Sequence, residues 1–205
     1  MQHVDPSKTA ILLIGFQRDY FDPNGVLYSV VEESHRVSGT LKHTLGLIDA
    51  YQDSPMLIVN TPIVFSQSYQ EIENPIGILK TIREVEAFKG GTPGAETIDE
   101  IRAYGDRIIE IPGKKGFNAF SNTELEKLLN EHGVETVILA GCVTSICVNA
   151  TALHAVETGF DVTILSDCTS GRTPVEQQFF CENVFPLFST VCTSQDVLAS
   201  VSKTG

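Results

Sequence analysis

The sequence predicts a three-layer α/β/α fold, built on a mostly parallel six-stranded sheet with helices on both faces. Three observations carry this. Six short apolar runs, 9–14, 56–61, 107–111, 136–140, 161–165 and 189–193, recur along the chain. They are mostly unbroken aliphatic stretches rather than in/out alternations, as expected of strands buried on both faces. Segments with helical spacing lie between them, and this order of elements builds parallel sheets by crossover connections. The topology expected is Rossmann-like, with its pocket at the carboxyl ends of the strands, where the chain crosses between faces. Gly15, Thr61, Pro112 and Gly141 stand at such ends.

Taken in order, the first run, 9–14, is followed by an amphipathic helix marked by Val37, Leu41, Leu45 and Ile48. After the second run, residues 65–94 carry aromatic, acidic and Gly-Pro signals; they read as a short helix plus a loop able to cover the site. The third run leads to Ser121-Asn-Thr-Glu124, which has capping-box spacing, and then to a helix carrying Leu125, Leu128 and Leu129. Past the fourth run, Thr144 or Ser145 can cap a helix in which Val148, Ala152, Ala155 and Val156 share a face. Gly159 is placed to end it in the left-handed conformation. The fifth run, a stretch with Phe179, Phe180, Phe185 and Phe188, and the sixth run complete the sheet; the phenylalanines offer apolar surface for self-association.

Length and composition narrow the function classes. A chain of 205 residues forms one domain, 1–205, that buries roughly 70% of its unfolded surface without disulfide staples. Five cysteines with no Cys-x-x-Cys pair fit a reducing, cytoplasmic setting. The N-terminus carries acid and proline and does not read as a signal peptide. The apolar runs fall far short of the roughly 18 to 20 residues of a membrane helix, so no membrane is expected. A formal charge of −12 argues against nucleic acid, whose phosphates demand clustered Lys and Arg. Acidity alone says little more, since a solvated acidic surface is its usual cause.

The chemistry concentrates at two strand ends. Cys147 falls near a helix N-terminus just past the fourth run, where free N–H groups favour thiolate over thiol. A buried cysteine acting as a small hydrophobe is the alternative. Lys114, in Pro112-Gly-Lys-Lys-Gly-Phe-Asn-Ala-Phe120, follows the third strand; beside a thiolate, an ammonium would stabilise it and any developing oxyanion. With Leu13-Ile-Gly-Phe-Gln17-Arg-Asp19-Tyr-Phe21, Gly91-Thr-Pro-Gly94 and Gly141-Cys-Val-Thr-Ser-Ile-Cys147-Val, this chain resembles the isochorismatase-like cysteine hydrolases, which include nicotinamidases and N-carbamoylsarcosine amidases. The resemblance runs from about Thr9 to Leu198. It implies that the first and fourth strands are neighbours, that Cys147 is the nucleophile with Lys114 beside it, and that the backbone N–H groups of Val143 and Cys147 form an oxyanion hole after a cis peptide. Gly15, Gln17, Phe21, Phe65, Phe117, Asn118, Phe120 and Cys142 would line or border the pocket, and the resemblance implies a homodimer or homotetramer, since members of that family commonly form them.

The departures from that pattern are also informative. Gly15 stands where the family has its catalytic aspartate, so the usual general base is missing. A general acid or base contributes typically 10²- to 10⁴-fold, so the site would be slow rather than dead. A glycine there would enlarge the pocket floor and leave proton transfer to Asp19, Glu71, Glu73, water or the substrate. A carboxylate restored at Gly15 would point at Cys147. Ser145 replaces a frequent aspartate, and Asn118 a common serine. Nicotinamidases hold a metal with histidines after the second strand, whereas 60–69 contains none here; no metal and no other cofactor are expected. His3, His35, His43, His132 and His154 are scattered and read as surface or packing residues, and Cys168, Cys181 and Cys192 as buried small ones. Two functions remain: a metal-independent cysteine hydrolase of a small amide or related carbonyl compound, working through a Cys147 thioester, or a catalytically impaired relative that binds a small molecule or a protein.

Overall fold

The computed structural model describes residues 4–201. Its strands are β1 (Thr9–Ile14), β2 (Leu57–Thr61), β3 (Ile109–Glu110), β4 (Thr136–Cys142), β5 (Asp161–Ser170) and β6 (Thr190–Cys192). They form one sheet in the order β3-β2-β1-β4-β5-β6, and every pairing is parallel. Helices α1 (Arg18–Phe21), α2 (Tyr28–Ser38), α3 (Thr40–Ala50), α4 (Gly77–Glu84), α5 (Asp99–Arg102), α6 (Leu125–Glu131), α7 (Asn149–Glu157), α8 (Pro174–Phe179) and α9 (Ser194–Val201) connect them. No helix among the described residues is long and apolar enough to cross a membrane.

The two faces of β1 show how the layers form. Ala10, Leu12 and Ile14 point into one core with Leu125 and Leu129 of α6 and Ala152 and Ala155 of α7. Ile11 and Leu13 point into the other with Leu47 and Ile48 of α3 and Ile101 of α5. Successive strand residues face opposite ways, so an unbroken aliphatic run is what a two-sided burial requires. All six residues of β1 are buried.

Several elements differ from the sequence reading. The helix through Val37 and Ile48 is two helices, because Gly39 at φ 68° breaks it and donates its N–H to the carbonyl of His35 at 2.9 Å. Strand β4 continues past Ala140 to Cys142, and β5 runs on to Ser170 with a register shift opposite Leu139 and Gly141. The β5 extension is polar and escaped an apolar pattern, but its groups are satisfied: Asp167 accepts from Ser194 N at 2.8 Å and Oγ at 2.6 Å. Ser121–Glu124 makes no capping box; α6 begins at Leu125, whose N–H reaches Thr123 Oγ1 at 3.3 Å. Gly159, at φ 95°, does stand just past the end of α7. Among the phenylalanines expected at the surface, Phe179 is 55% exposed, but Phe185 is buried beneath the rings of Phe180 and Phe188, with centroids 5.6 and 6.1 Å away. Cys168 and Cys181 are buried as expected, whereas Cys192 is half-buried.

The strand ends meet most closely at Gly141. Its φ is 122°, and a Cβ there would lie 1.8 Å from the carbonyl oxygen of Ile14. Glycine is required to bring β4 this close to β1. Gly141→Ala should therefore cost about 3 kcal/mol or more, read as a lower urea midpoint; an unchanged midpoint would contradict this account.

Candidate active site

Past Cys142 the chain turns through a cis peptide to Val143, then makes one wide turn, Thr144–Val148, before α7 begins. The Val143 carbonyl opens that turn by accepting from Ile146 N at 3.0 Å and Val148 N at 3.2 Å. Neither Thr144 nor Ser145 caps the helix. Both side chains reach α8 instead, Thr144 to the Gln177 side chain and Ser145 to the Glu176 carboxylate. Cys147 thus sits in the turn that precedes α7, at the carboxyl edge of the sheet.

Lys114 arrives from the other side of β1. Its Nζ donates to Cys147 Sγ at 3.6 Å, and both residues are buried, Lys114 completely. Gln17 holds this arrangement indirectly. Its amide donates to the carbonyls of Ile63 and Ala95 at 2.7 Å each and accepts from Ile63 N at 2.9 Å. Ile63 in turn forms a parallel backbone bridge with Lys114. Gln17 is accordingly a positioning residue rather than a lining one. Burial pushes the Lys114 ammonium below the usual lysine range, and the sulfurs of Cys147 and Cys142 oppose that shift.

The space over Gly15 is filled rather than open. A Cβ there would meet the Cys142 carbonyl at 2.8 Å, Cys142 Sγ at 3.2 Å and the Tyr20 ring at 3.5 Å, on a backbone with φ 73°. The Cys142 thiol donates to the Gly15 carbonyl at 3.7 Å, and burial drives its pKa well up. This corrects the expectation of an enlarged pocket floor.

Asp19 is not drawn to the cysteine. Its Oδ2 accepts from Phe88 N at 2.6 Å, and its carboxylate packs where a Cβ on Gly94 would stand, within 2.2 to 2.6 Å. It faces a separate cavity of about 370 Å³ with Arg18, Asp22 and Lys89. Glu71 is bound to Ser66 through its N–H at 3.0 Å and its hydroxyl at 2.8 Å, and Glu73 is exposed. Among the described residues, no carboxylate is hydrogen-bonded to Cys147 or Lys114.

The cavity over Cys147 is lined by Tyr20, Ile63, Phe65, Phe117, Ile146 and three residues of α4, Ile78, Leu79 and Ile82. Of the anticipated pocket residues, Phe65 and Phe117 are there and Cys142 lies beside it. Phe21 instead stacks on Phe16 with centroids 5.0 Å apart, Phe120 stacks on His154 at 4.8 Å, and Asn118 Oδ1 accepts from Phe120 N at 2.9 Å. Sequence reasoning missed Tyr20 and the α4 residues. Tyr20 hides between Asp19 and Phe21 in a motif read for its acid, and its phenol is held well above the usual range by burial, then by Cys147, Cys142 and Asp19. Among the described residues, no three His, Cys, Asp or Glu side chains gather to hold a metal; His3 lies outside the described residues.

A six-stranded parallel sheet with a buried cysteine–lysine pair at its carboxyl edge defines an α/β protein with a candidate cysteine site. The sequence model for the isochorismatase domain matches residues 9–196, and the chain belongs to that family. It is 29% identical over 194 residues to a maleamate amidohydrolase of Pseudomonas putida, covering 93% of this chain and 85% of that protein. It is 24% identical over 211 residues to a ureidoacrylate amidohydrolase of Rhizobium rhizogenes, covering 97% and 85%. A cysteine hydrolase from Pseudomonas syringae pv. phaseolicola has the same fold, with a TM-score of 0.84 over 98% of this chain and 96% of that one at 19% identity.

The crowding at Gly15 leads to a prediction opposite to the sequence expectation. Gly15→Asp places a Cβ against Cys142 and Tyr20 in a left-handed conformation, so it should lower stability by about 2 kcal/mol and leave amide hydrolysis no faster. Thermal denaturation and ammonia release on the same preparation check both; a stable, faster variant would refute the crowding argument.

Proposed function

We propose that this protein is a hydrolase of C–N bonds in small amides, working through a Cys147 thioester and a Cys147–Lys114 proton couple, with no metal held by its own side chains. The single observation that carries this is the buried Lys114 Nζ 3.6 Å from Cys147 Sγ. The amidohydrolase activity of its relatives supports the reaction class.

The proton inventory closes without a carboxylate. The Cys147 thiol proton passes to Lys114 Nζ, and the thiolate attacks the amide carbon. The oxyanion is received by the N–H groups of Val143 and Cys147. The Lys114 ammonium then gives its proton to the nitrogen, the C–N bond breaks, and the amine leaves with the thioester formed. Neutral Lys114 next takes a proton from water; the hydroxide attacks the thioester, the acid departs, and the thiolate–ammonium pair is restored. Depression of the lysine pKa by burial suits this role, since a base works best with a pKa near the operating pH.

Two measurements test the proposal. Cys147 should be the first thiol carboxamidomethylated by brief iodoacetamide at neutral pH, because burial pushes Cys142 and Cys168 well up and Cys181 and Cys192 up to about 11. First labelling of any other cysteine overturns the nucleophile assignment. The pH profile follows from the sign of the lysine shift: burial disfavours the ammonium, so Lys114 gives up its proton below the ordinary lysine range. kcat/KM should fall as pH rises through that lowered value. Lys114→Met should lose about 100-fold or more and should also lose this alkaline limb. A variant that keeps the parent's rate and profile overturns the couple, whereas a parent protein that hydrolyses no amide leaves the binding-protein reading in its place.

A further inference from the structure

The cavity over Cys147 has a largely apolar wall. Ile63, Phe65, Phe117 and Ile146 come from the strand-end loops, and Ile78, Leu79 and Ile82 come from α4, which closes over them. The cavity they leave is about 10 Å³, at the lower limit for one water molecule. Substrate therefore enters by displacing aliphatic side chains, and its acyl part takes their place. Among the described residues that line the cavity, Tyr20 and Cys147 are the ones that carry a polar side-chain group, and Lys114 stands behind Cys147.

The nearby cations are committed elsewhere. Lys115 Nζ is bound to the Val64 carbonyl and lies 3.4 Å from Glu71. Arg83 donates to the carbonyls of Glu73 at 2.8 Å and Ile72 at 3.3 Å. Lys80 pairs at the surface with Glu84 at 3.7 Å. Lys114 does not line the cavity, and its Nζ is engaged by the Cys147 sulfur at 3.6 Å. A carboxylate carried in on the acyl chain would be buried without a partner, a heavy desolvation penalty.

We infer that the substrates are amides whose acyl group is uncharged and apolar, aliphatic or aromatic, and that acyl chains ending in a carboxylate are excluded by the α4 wall. This rests on the hydrolase reading above and adds the substrate class to it. It also separates this chain from its maleamate-hydrolysing relative, whose substrate is anionic.

The test is ammonia release by the full-length protein from isovaleramide and benzamide against maleamate and succinamate. The expected result is a kcat/KM at least 100-fold higher for the neutral pair. Leu79 is half-buried on α4, so a substitution there spares the core. Leu79→Arg should narrow the preference at least tenfold by supplying the missing cation, whereas Leu79→Met, which keeps the wall apolar, should preserve it. Equal or faster turnover of maleamate by the parent protein overturns the inference and leaves the hydrolase reading intact. Release of ammonia from neither series, with no acyl adduct on Cys147 by mass spectrometry, overturns the hydrolase reading and the substrate class with it.

Discussion

A completely buried lysine needs a partner, and the geometry of this site follows from that constraint. An ammonium taken out of water and left unpaired costs several kcal/mol, so the Lys114 side chain is stable in place only with the Cys147 sulfur against it. That contact joins two connections lying on opposite sides of the central strand. One follows β3 and is tied to Ile63 and Gln17; the other follows β4 and is set by the turn after Cys142. Neither connection places its residue alone. The close approach of β1 and β4 at Gly141 brings them into register.

The same crowding explains the glycine at the end of β1. With φ at 73° and the Cys142 carbonyl, the Cys142 sulfur and the Tyr20 ring all close to the position of a Cβ, Gly15 is a packing requirement of this particular floor. The space that a carboxylate would use is occupied by a thiol and an aromatic ring. Tyr20 and Cys142 thus form one ensemble with Gly15, and changing the glycine alone addresses only a third of it.

Much of this was legible in the sequence, and the rest was hidden for identifiable reasons. The run 9–14 matches β1 because both faces are buried and nothing polar interrupts it. The lower half of β5 was invisible because Asp167 and Ser170, and the Thr169 carbonyl, are satisfied by Ser194 and Thr40 far along the chain, which periodicity does not record. Cys147 and Lys114 could be named because their residue types are chemically suggestive at strand ends. Their 3.6 Å contact spans 33 residues of chain and depends on topology. Asp19, one of several candidates for proton transfer in the sequence, instead accepts from Phe88 N and leaves room only for glycine at position 94. The α4 residues that form the cavity wall carry no motif at all. Only the folded loop shows that their apolar face turns inward, toward Cys147.

These placements bear on how the site handles charge. With Asp19 engaged in the loop and Glu71 engaged by Ser66, no carboxylate among the described residues is hydrogen-bonded to the cysteine or the lysine. The pair is neutral overall, whether written as thiol and amine or as thiolate and ammonium, and it faces an aliphatic wall rather than water. In such surroundings the interaction between the two charges is far less screened than at a surface. The apolar wall and the absent carboxylate are therefore two aspects of one arrangement. An added carboxylate would leave the enclosed group with a net negative charge, which the burial of Tyr20, Cys142 and the α4 side chains would make expensive to hold.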